Sequence, residues 1–419
     1  MLPPVIPALL AAIFAQEPEA VIRTEVRQVL VPAIVTDAKG HHATGLRATD
    51  FTILEDGIRQ TITSFSTDTD PALAAAPAAH HRTYVICFDT LHSSFANFGR
   101  AREALEKLFQ KDQGDNAQVV MVGLGCQLRL IQTATSDRKL LAARLREKAF
   151  LDTLRGVDSE AVANEVNNTR IRMEQYCRRC QCGVQAQGSA CNPERQDLRQ
   201  QLNAQAARTA LLGRAFLEGL RSLTTELGNL PGGRTLILVS DGFSLTPGAE
   251  LFAVAAAFLP NYSEFALAGD TLAPQLEEAL AVAVSRDIRV YAIDTRGLSS
   301  ASFSAGGISD ASRSGAGNSG VGNRGGSTLG ELERRQDSIA FQNGGGLAHI
   351  AAMTGGVYFH NTNDLLGDFR SVLADAREYY LLSYAPTRAN DDGLYRKIEV
   401  RLTNSALRVR AKEGYWAGK

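Results

Sequence analysis

The sequence has almost no excess of charge of either sign, because 44 lysine and arginine residues are balanced by 45 aspartate and glutamate residues. Proteins that bind nucleic acid or an anionic membrane surface carry a concentrated positive charge, which this balance does not indicate. After the first segment, no stretch reaches the roughly 18 to 20 consecutive apolar residues of a membrane helix. We therefore expect no nucleic-acid partner and no membrane span in the mature chain.

Short motifs typical of several enzyme classes are also missing. The sequence contains no Gly-x-Ser-x-Gly, no Gly-x-x-x-x-Gly-Lys-Ser/Thr and no His-Glu-x-x-His, so a serine hydrolase, a P-loop nucleotide-binding protein and a zincin protease all lack support. His92 follows Asp89 closely, but no nucleophile is placed for acid–base chemistry, and we interpret the histidine as a residue at the rim of a site. The sequence predicts a protein that is not an enzyme and binds no nucleotide.

The chain has enough residues and apolar content for two or three domains with a buried core, since 44% of its 419 residues are hydrophobic. Eight of its 37 glycines lie in residues 299–328, which consist almost entirely of Ser, Gly, Ala and Asn. This segment has too little apolar surface to offset its chain entropy, so we expect a flexible loop there.

The first 15 residues are apolar, and Ala15 before Gln16 provides a small-residue cleavage point. We interpret residues 1–15 as a secretory signal peptide. They contain no lysine or arginine, so an uncleaved anchor or a buried N-terminal strand is the alternative. The signal predicts a secreted or periplasmic protein of the cell envelope.

Four of the six cysteines lie in one polar segment, at positions Cys177, Cys180, Cys182 and Cys191. In an oxidising compartment they would form two disulfides, with three connectivities that the sequence does not separate. In a reducing compartment four thiolates could hold a structural zinc ion. Their spacing fits paired Cys-x-x-Cys motifs poorly, and together with the signal peptide this favours disulfides. Cys87 and Cys126 lie in apolar runs and are expected in the core.

Alternating apolar residues at both ends of the chain predict β-strands. Residues 22–70 form a small N-terminal β unit with turn signals, residues 71–81 form a linker, and residues 378–417 supply further strands. The N-terminal unit alone has too few strands for a closed sandwich. We predict that both sets assemble into one β-sandwich with the central domain inserted between them. Two separate β extensions are the alternative.

The central residues 82–377 alternate short apolar strands with amphipathic helices. Buried strands alternating with helices specify a mostly parallel sheet that is covered on both faces. The predicted fold class is therefore α/β, doubly wound. Residues 152–207, polar and helical around the cysteines, and the loop 299–328 are interpreted as insertions.

Polar residues follow two of the predicted strands, at the edge where a doubly wound sheet binds ligands. Asp89 and Ser93 follow one strand, Asp241 follows another, and Thr209 is expected to begin a helix between them. Carboxylate and hydroxyl oxygens suit Mg²⁺, Ca²⁺ or Mn²⁺ better than Zn²⁺. The alternative is that each aspartate only caps the next helix.

These segments resemble a von Willebrand factor A domain with its metal-ion-dependent adhesion site. Other segments resemble one branch of that superfamily, the von Willebrand factor A-related proteins first grouped from Acidobacteria. The segments that carry this resemblance are residues 31–37, 45–57, 237–242, 291–298, 354–356, 379–384 and 414–416. The similarity covers most of residues 25–417 except the two insertions.

The resemblance implies a metal-dependent binding module in which Asp89, Ser93, Thr209 and Asp241 hold the ion. The open position on the ion would accept a carboxylate from a protein partner. Leu91 stands where the family has the first Ser of Asp-x-Ser-x-Ser, so one ligand must come from water or a neighbouring hydroxyl, or is absent. Our first hypothesis is an exported adhesion or protein-binding module, and the second is a metal-free assembly module of the cell envelope.

Overall fold

The computed structural model describes residues 28–67, 82–111, 117–154, 159–180, 191–230, 232–259, 271–298, 345–388 and 392–418. The predicted signal peptide, linker and glycine-rich loop lie outside these residues, as does Cys182.

Strands and helices are numbered in chain order within the described part of the chain. The strands are β1 (Val29–Thr36), β2 (Phe51–Glu55), β3 (Ile58–Gln60), β4 (Ile62–Thr67), β5 (Thr83–Asp89), β6 (Gln118–Leu124), β7 (Leu128–Thr135), β8 (Arg234–Ser240), β9 (Arg289–Asp294), β10 (Tyr358–Phe359), β11 (Tyr380–Tyr384), β12 (Tyr395–Leu402), β13 (Arg408–Arg410) and β14 (Gly414–Trp416). The helices are α1 (Phe95–Lys111), α2 (Arg138–Arg144), α3 (Lys148–Leu154), α4 (Ser159–Cys180), α5 (Asn192–Gly228), α6 (Ala249–Phe258), α7 (Ala273–Ser285), α8 (residues 345–354) and α9 (Leu365–Arg377).

A six-stranded sheet forms the centre of the α/β part, in the order β10-β9-β8-β5-β6-β7. All neighbours are parallel except β6 and β7, which are antiparallel. All seven residues of β5 are buried. Strands that are covered on both faces become continuous apolar runs, which is why these segments were recognisable in the sequence. The structure confirms the α/β class with a mostly parallel sheet.

Helices cover both faces of this sheet. Tyr84, Ile86 and Phe88 point to one face, where α1, α2, α3 and α9 pack. Val85 and Cys87 point to the other, where α5, α7 and α8 pack. Successive side chains of a strand alternate between the two faces, so each strand contributes to two apolar cores.

Two four-stranded antiparallel sheets lie outside the α/β part, in the orders β13-β1-β11-β4 and β14-β12-β2-β3. Each sheet combines strands from the two ends of the chain, with Val31 opposite Leu382 in one and Ile53 opposite Val400 in the other. The inward side chains of both sheets share one apolar cluster. This pairing is the arrangement of a sandwich into which the α/β part is inserted.

The cysteine-containing segment forms a helical hairpin of α4 and the first half of α5. A disulfide joins Cys180 to Cys191, and Cys177 is also disulfide-bonded. The hairpin and α6 pack together around a separate apolar core. The expectation of disulfides is thus confirmed for this segment, whereas the expectation that Cys126 is buried is wrong, since its thiol is exposed.

Helix α5 runs without a break from residue 192 to residue 228. Residue 207, the predicted end of the helical insertion, lies inside this helix. No helix in the described part of the chain is both long and apolar enough to cross a membrane.

Candidate functional site

The candidate site lies at the carboxyl edge of the six-stranded sheet. The chain leaves β5 through α1 and returns in β6 on one side of it, whereas β8 lies on the other side. Doubly wound sheets bind ligands where the strand order reverses, which here is beyond the carboxyl ends of β5 and β8. Asp89 ends β5, Asp241 directly follows β8, and Asp294 ends β9. Three carboxylates from three strands thus meet at one edge.

Asp89 is fully buried and both of its carboxylate oxygens accept hydrogen bonds. Oδ1 accepts from the backbone N–H groups of Leu91 (3.0 Å) and His92 (3.2 Å). Oδ2 accepts from the Ser240 hydroxyl at 2.7 Å and lies 3.0 Å from His92 Nδ1. Four protein donors therefore occupy the roughly four lone-pair positions of this carboxylate.

The imidazole of His92 is held by aromatic rings as well as by Asp89. Its ring centroid lies 5.2 Å from that of Phe216, in an edge-to-face arrangement, and 5.8 Å from that of Phe243. Leu91, one residue earlier, is buried in the apolar core between the sheet and α5. The segment after β5 therefore places one side chain in the core and the next one against Asp89.

Asp241 is hydrogen-bonded to residues that follow β5 and β9. Its Oδ2 accepts from the Ser94 backbone N–H (2.9 Å) and from the Asn97 amide (2.7 Å), and its Oδ1 accepts from the Thr295 hydroxyl. Its own backbone N–H donates to Ser93 Oγ at 3.0 Å. Burial raises the pKa of Asp241 and outweighs these hydrogen bonds, which act to lower it.

The third carboxylate, Asp294, is bonded to groups outside the predicted set. Arg296 approaches it with Nη2 at 2.6 Å from Oδ2, and the Tyr358 hydroxyl donates to the same oxygen at 2.9 Å. Burial and then the negative charge of Asp294 raise the pKa of Tyr358. Arg100 from α1 donates to the carbonyls of Thr295 (2.5 Å) and Arg296, and so fixes the loop after β9.

Three of the four predicted site residues, Asp89, Ser93 and Asp241, are brought together by the structure. The expectation that Thr209 begins a helix is wrong, because it lies in the middle of α5 and its hydroxyl donates to the Gln205 carbonyl of the same helix. Six further residues lie at the site and were not predicted there from the sequence, namely Asn97, Ser240, Asp294, Thr295, Arg296 and Tyr358. Applying the strand-end rule to β9 would have found Asp294 and Thr295.

A divalent cation of this kind requires oxygen atoms with lone pairs directed at the ion. Asp89 has its lone-pair positions occupied by protein donors, and the oxygen of Ser93 accepts the backbone N–H of Asp241. Leu91 has no ligand atom to offer. The residues in this arrangement do not fit a divalent cation.

No protein-family model matches this chain, and no curated protein matches it. Solved structures do match, 14 chains in all. An aerotolerance-related membrane protein from Bacteroides fragilis NCTC 9343 is 13% identical, with 70% of this chain and 98% of that chain covered and a TM-score of 0.29.

Two further solved structures are similar at the same level. The conserved hypothetical protein BatB from Bacteroides thetaiotaomicron is 12% identical, with 70% of this chain and 98% of that chain covered and a TM-score of 0.26. A variant of the minor pilin PilB from Streptococcus sanguinis is 11% identical, with 71% of this chain and 62% of that chain covered and a TM-score of 0.29. At these scores the three similarities carry no argument about function.

Proposed function

We propose that this protein is an exported binding protein of the bacterial cell envelope, related to von Willebrand factor A domains, which mediates protein–protein interaction or adhesion. The family assignment is supported by the sequence motifs at the ends of β5, β8 and β9. Export is supported by the apolar residues 1–15 and by the disulfide between Cys180 and Cys191, since disulfides persist mainly in oxidising compartments.

The observation that carries the proposal is the composition of the rim around the candidate site. Phe95, directly after the loop that follows β5, is 46% exposed, and Leu298, after β9, is 59% exposed. The guanidinium groups of Arg100 and Arg296 lie on the same two segments. Exposed aromatic and aliphatic side chains combined with arginine are typical of protein-binding surfaces. We call Phe95, Arg100, Arg296 and Leu298 the strand-end surface.

The partner in this proposal is a protein that presents an apolar side chain and an acidic group. An ion was the expected receptor for the acidic group, but the residues do not fit one. Arg100, which is exposed, is the cationic group that would meet a carboxylate instead, and Arg296, already paired with Asp294, lies beside it. No catalytic step is proposed, since the hydroxyls of Ser93 and Ser240 are engaged in hydrogen bonds that hold the loops.

Site-specific photo-crosslinking in the host envelope tests the strand-end surface. A crosslinking amino acid is placed at Phe95 or Leu298, and at two exposed control positions outside the strand-end surface, Leu130 (58%) of β7 and Leu394 (59%) before β12. We expect one discrete adduct from positions 95 and 298, lost when Arg296 is changed to Glu, and none from the controls. Equal adducts from all four positions, or none from 95 and 298, would refute the proposal.

A second candidate function, a structural assembly module, is supported by the disulfide-bonded hairpin. Ile171 of α4 is an exposed apolar residue on it, and the exposed Leu211 of α5 directly follows it. If the hairpin makes the contacts, crosslinkers at these two positions capture a partner while those at Phe95 and Leu298 do not. The same experiment therefore distinguishes the two functions.

A further inference from the structure

We infer that the imidazole of His92 has taken the place of the divalent ion at this site, so that the three strand-end loops are held together permanently and without metal. This inference concerns the ion site alone, and it stands whether or not the strand-end surface binds a partner. It starts from the disagreement between the motif, which resembles an ion site, and the donor set, which does not fit an ion.

Protein groups compensate the buried negative charge of Asp89. A fully buried carboxylate is costly unless it is paired or hydrogen-bonded. In an ion site the cation supplies part of that compensation. Here His92 Nδ1 lies 3.0 Å from Oδ2 and 3.2 Å from Oδ1, and the Ser240 hydroxyl and two backbone N–H groups complete the set. An ionised carboxylate offers Nδ1 only acceptor atoms, so we assign the His92 proton to Nδ1.

The loops that follow β5, β8 and β9 are connected to one another. An ion in such a site joins loops that follow different strands, because each loop contributes a ligand. In this protein direct hydrogen bonds make those connections. Ser240 after β8 donates to Asp89 of β5, Ser93 accepts from the backbone of Asp241, and Thr295 after β9 donates to Asp241. The loops after β5, β8 and β9 are therefore joined without an ion.

The local sequence Asp89-Thr90-Leu91-His92-Ser93 also supports a site without an ion. Only position 91 departs from the Asp-x-Ser-x-Ser pattern, where leucine replaces a ligand and is 2% exposed in the apolar core. His92 occupies a position whose side chain is free to vary in that pattern, and its ring rests against Phe216 and Phe243. The two adjacent residues thus remove one ligand and fill the space at Asp89 with a ring.

Restoring the ion site tests this inference. Leu91→Ser recreates the ligand pattern, and His92→Ala removes the ring, so the double variant is compared with the matched double variant Leu91→Ala with His92→Ala. Each protein is treated with chelator and then melted with Mg²⁺, Ca²⁺ or Mn²⁺ alone. We expect no ion-dependent rise in Tm for the wild type or the alanine pair, and a concentration-dependent rise for the serine pair, as mass action requires of a new binding site.

A measurement on the unmodified protein protects the test against a variant that does not fold. Nitrogen NMR of the wild type is expected to show the His92 Nδ1–H tautomer, unchanged by addition of Mg²⁺. Displacement of that signal by the ion would overturn the inference. So would an ion-dependent Tm rise in the wild type that Asp241→Ala abolishes. Failure of a folded serine pair to gain any ion response would also count against it.

Discussion

A buried carboxyl group in the sandwich provides the most direct test of how the two ends of the chain hold together. Glu55 ends β2 and is almost completely buried. Its Oε2 accepts from the Tyr384 hydroxyl at 2.5 Å and from the Tyr415 hydroxyl at 3.0 Å. Tyr384 belongs to β11 in the other sheet, so this bond crosses the sandwich. Burial, followed by the bond to Glu55, raises the pKa of Tyr384.

Tyr384→Phe removes the hydroxyl and keeps the ring in the core. A hydrogen bond to a charged partner contributes about 1.5–3 kcal/mol, and its loss leaves Glu55 with one side-chain donor fewer in a buried position. We expect the free energy of unfolding to fall by about 2 kcal/mol. Tyr415→Phe is expected to cost a similar amount. Because both hydroxyls serve one oxygen, the double variant should lose more than the sum of the single losses.

Urea unfolding followed by circular dichroism measures these changes, and Tyr395→Phe serves as the control. The Tyr395 hydroxyl lies 3.6 Å from the sulfur of Met353, a weak acceptor, so its removal should cost about 0.5 kcal/mol or less. If Tyr384→Phe costs no more than Tyr395→Phe, the Glu55 bond does not stabilise the sandwich. Strict additivity of Tyr384→Phe and Tyr415→Phe would contradict their shared dependence on Glu55.

Two further predictions concern the α/β part. An added Cβ at Gly356 would lie 2.0 Å from the carbonyl oxygen of Val290 in β9, so Gly356→Ala should cost about 3 kcal/mol or more in urea unfolding. Gly345→Ala, where an added Cβ meets nothing within 4 Å, should cost nothing, and equal costs would refute the reasoning. Burial and then Asp364 raise the pKa of Asp368 from 3.8 to about 6, so the folded state holds this proton more tightly and loses stability as pH rises from about 4 to about 6. Because Asp368 is partly exposed, the loss is about 1 kcal/mol or less. Asp368→Asn should unfold at a higher urea concentration at pH 7 with little change at pH 3.5, and an unchanged difference between the two pH values would show that Asp368 is not responsible.

The α/β class was predictable because the parallel strands are buried on both faces and therefore become apolar runs. Strand ends were predictable for the same reason, since Asp89 and Asp241 are the first charged residues after such runs. Glu55 shows a signal that was present but overlooked. The Glu55-Asp56-Gly57 sequence resembles an exposed turn, yet Phe51, Ile53 and Glu55 lie on one face of β2 and all three are buried.

The sequence could not show that Thr209 lies inside a helix. The last residues of the predicted insertion have the same helix-forming composition as the residues that follow them. Residues 192–208 are rich in Gln, Arg and Ala, which are good helix formers, so they continue α5 without a boundary. Pro193, in the first turn of α5, marks the real start. Hydrogen-bond partners were unpredictable for a different reason. Whether Asp89 is directed at an ion or at His92 depends on side chains from three separate strands.

The burial of the aspartates also determines which charge the carboxyl edge presents to a partner. By residue count the edge is acidic, with Asp89, Asp241 and Asp294 against two arginines. Asp89 and Asp294 are buried and hydrogen-bonded to protein donors, and Arg296 is paired with Asp294, whereas Arg100 is exposed. Charges in contact with solvent act on an approaching partner more directly than charges that are already compensated inside. Among these five groups the guanidinium of Arg100 is therefore the charge most open to solvent, which supports an acidic group on the proposed partner.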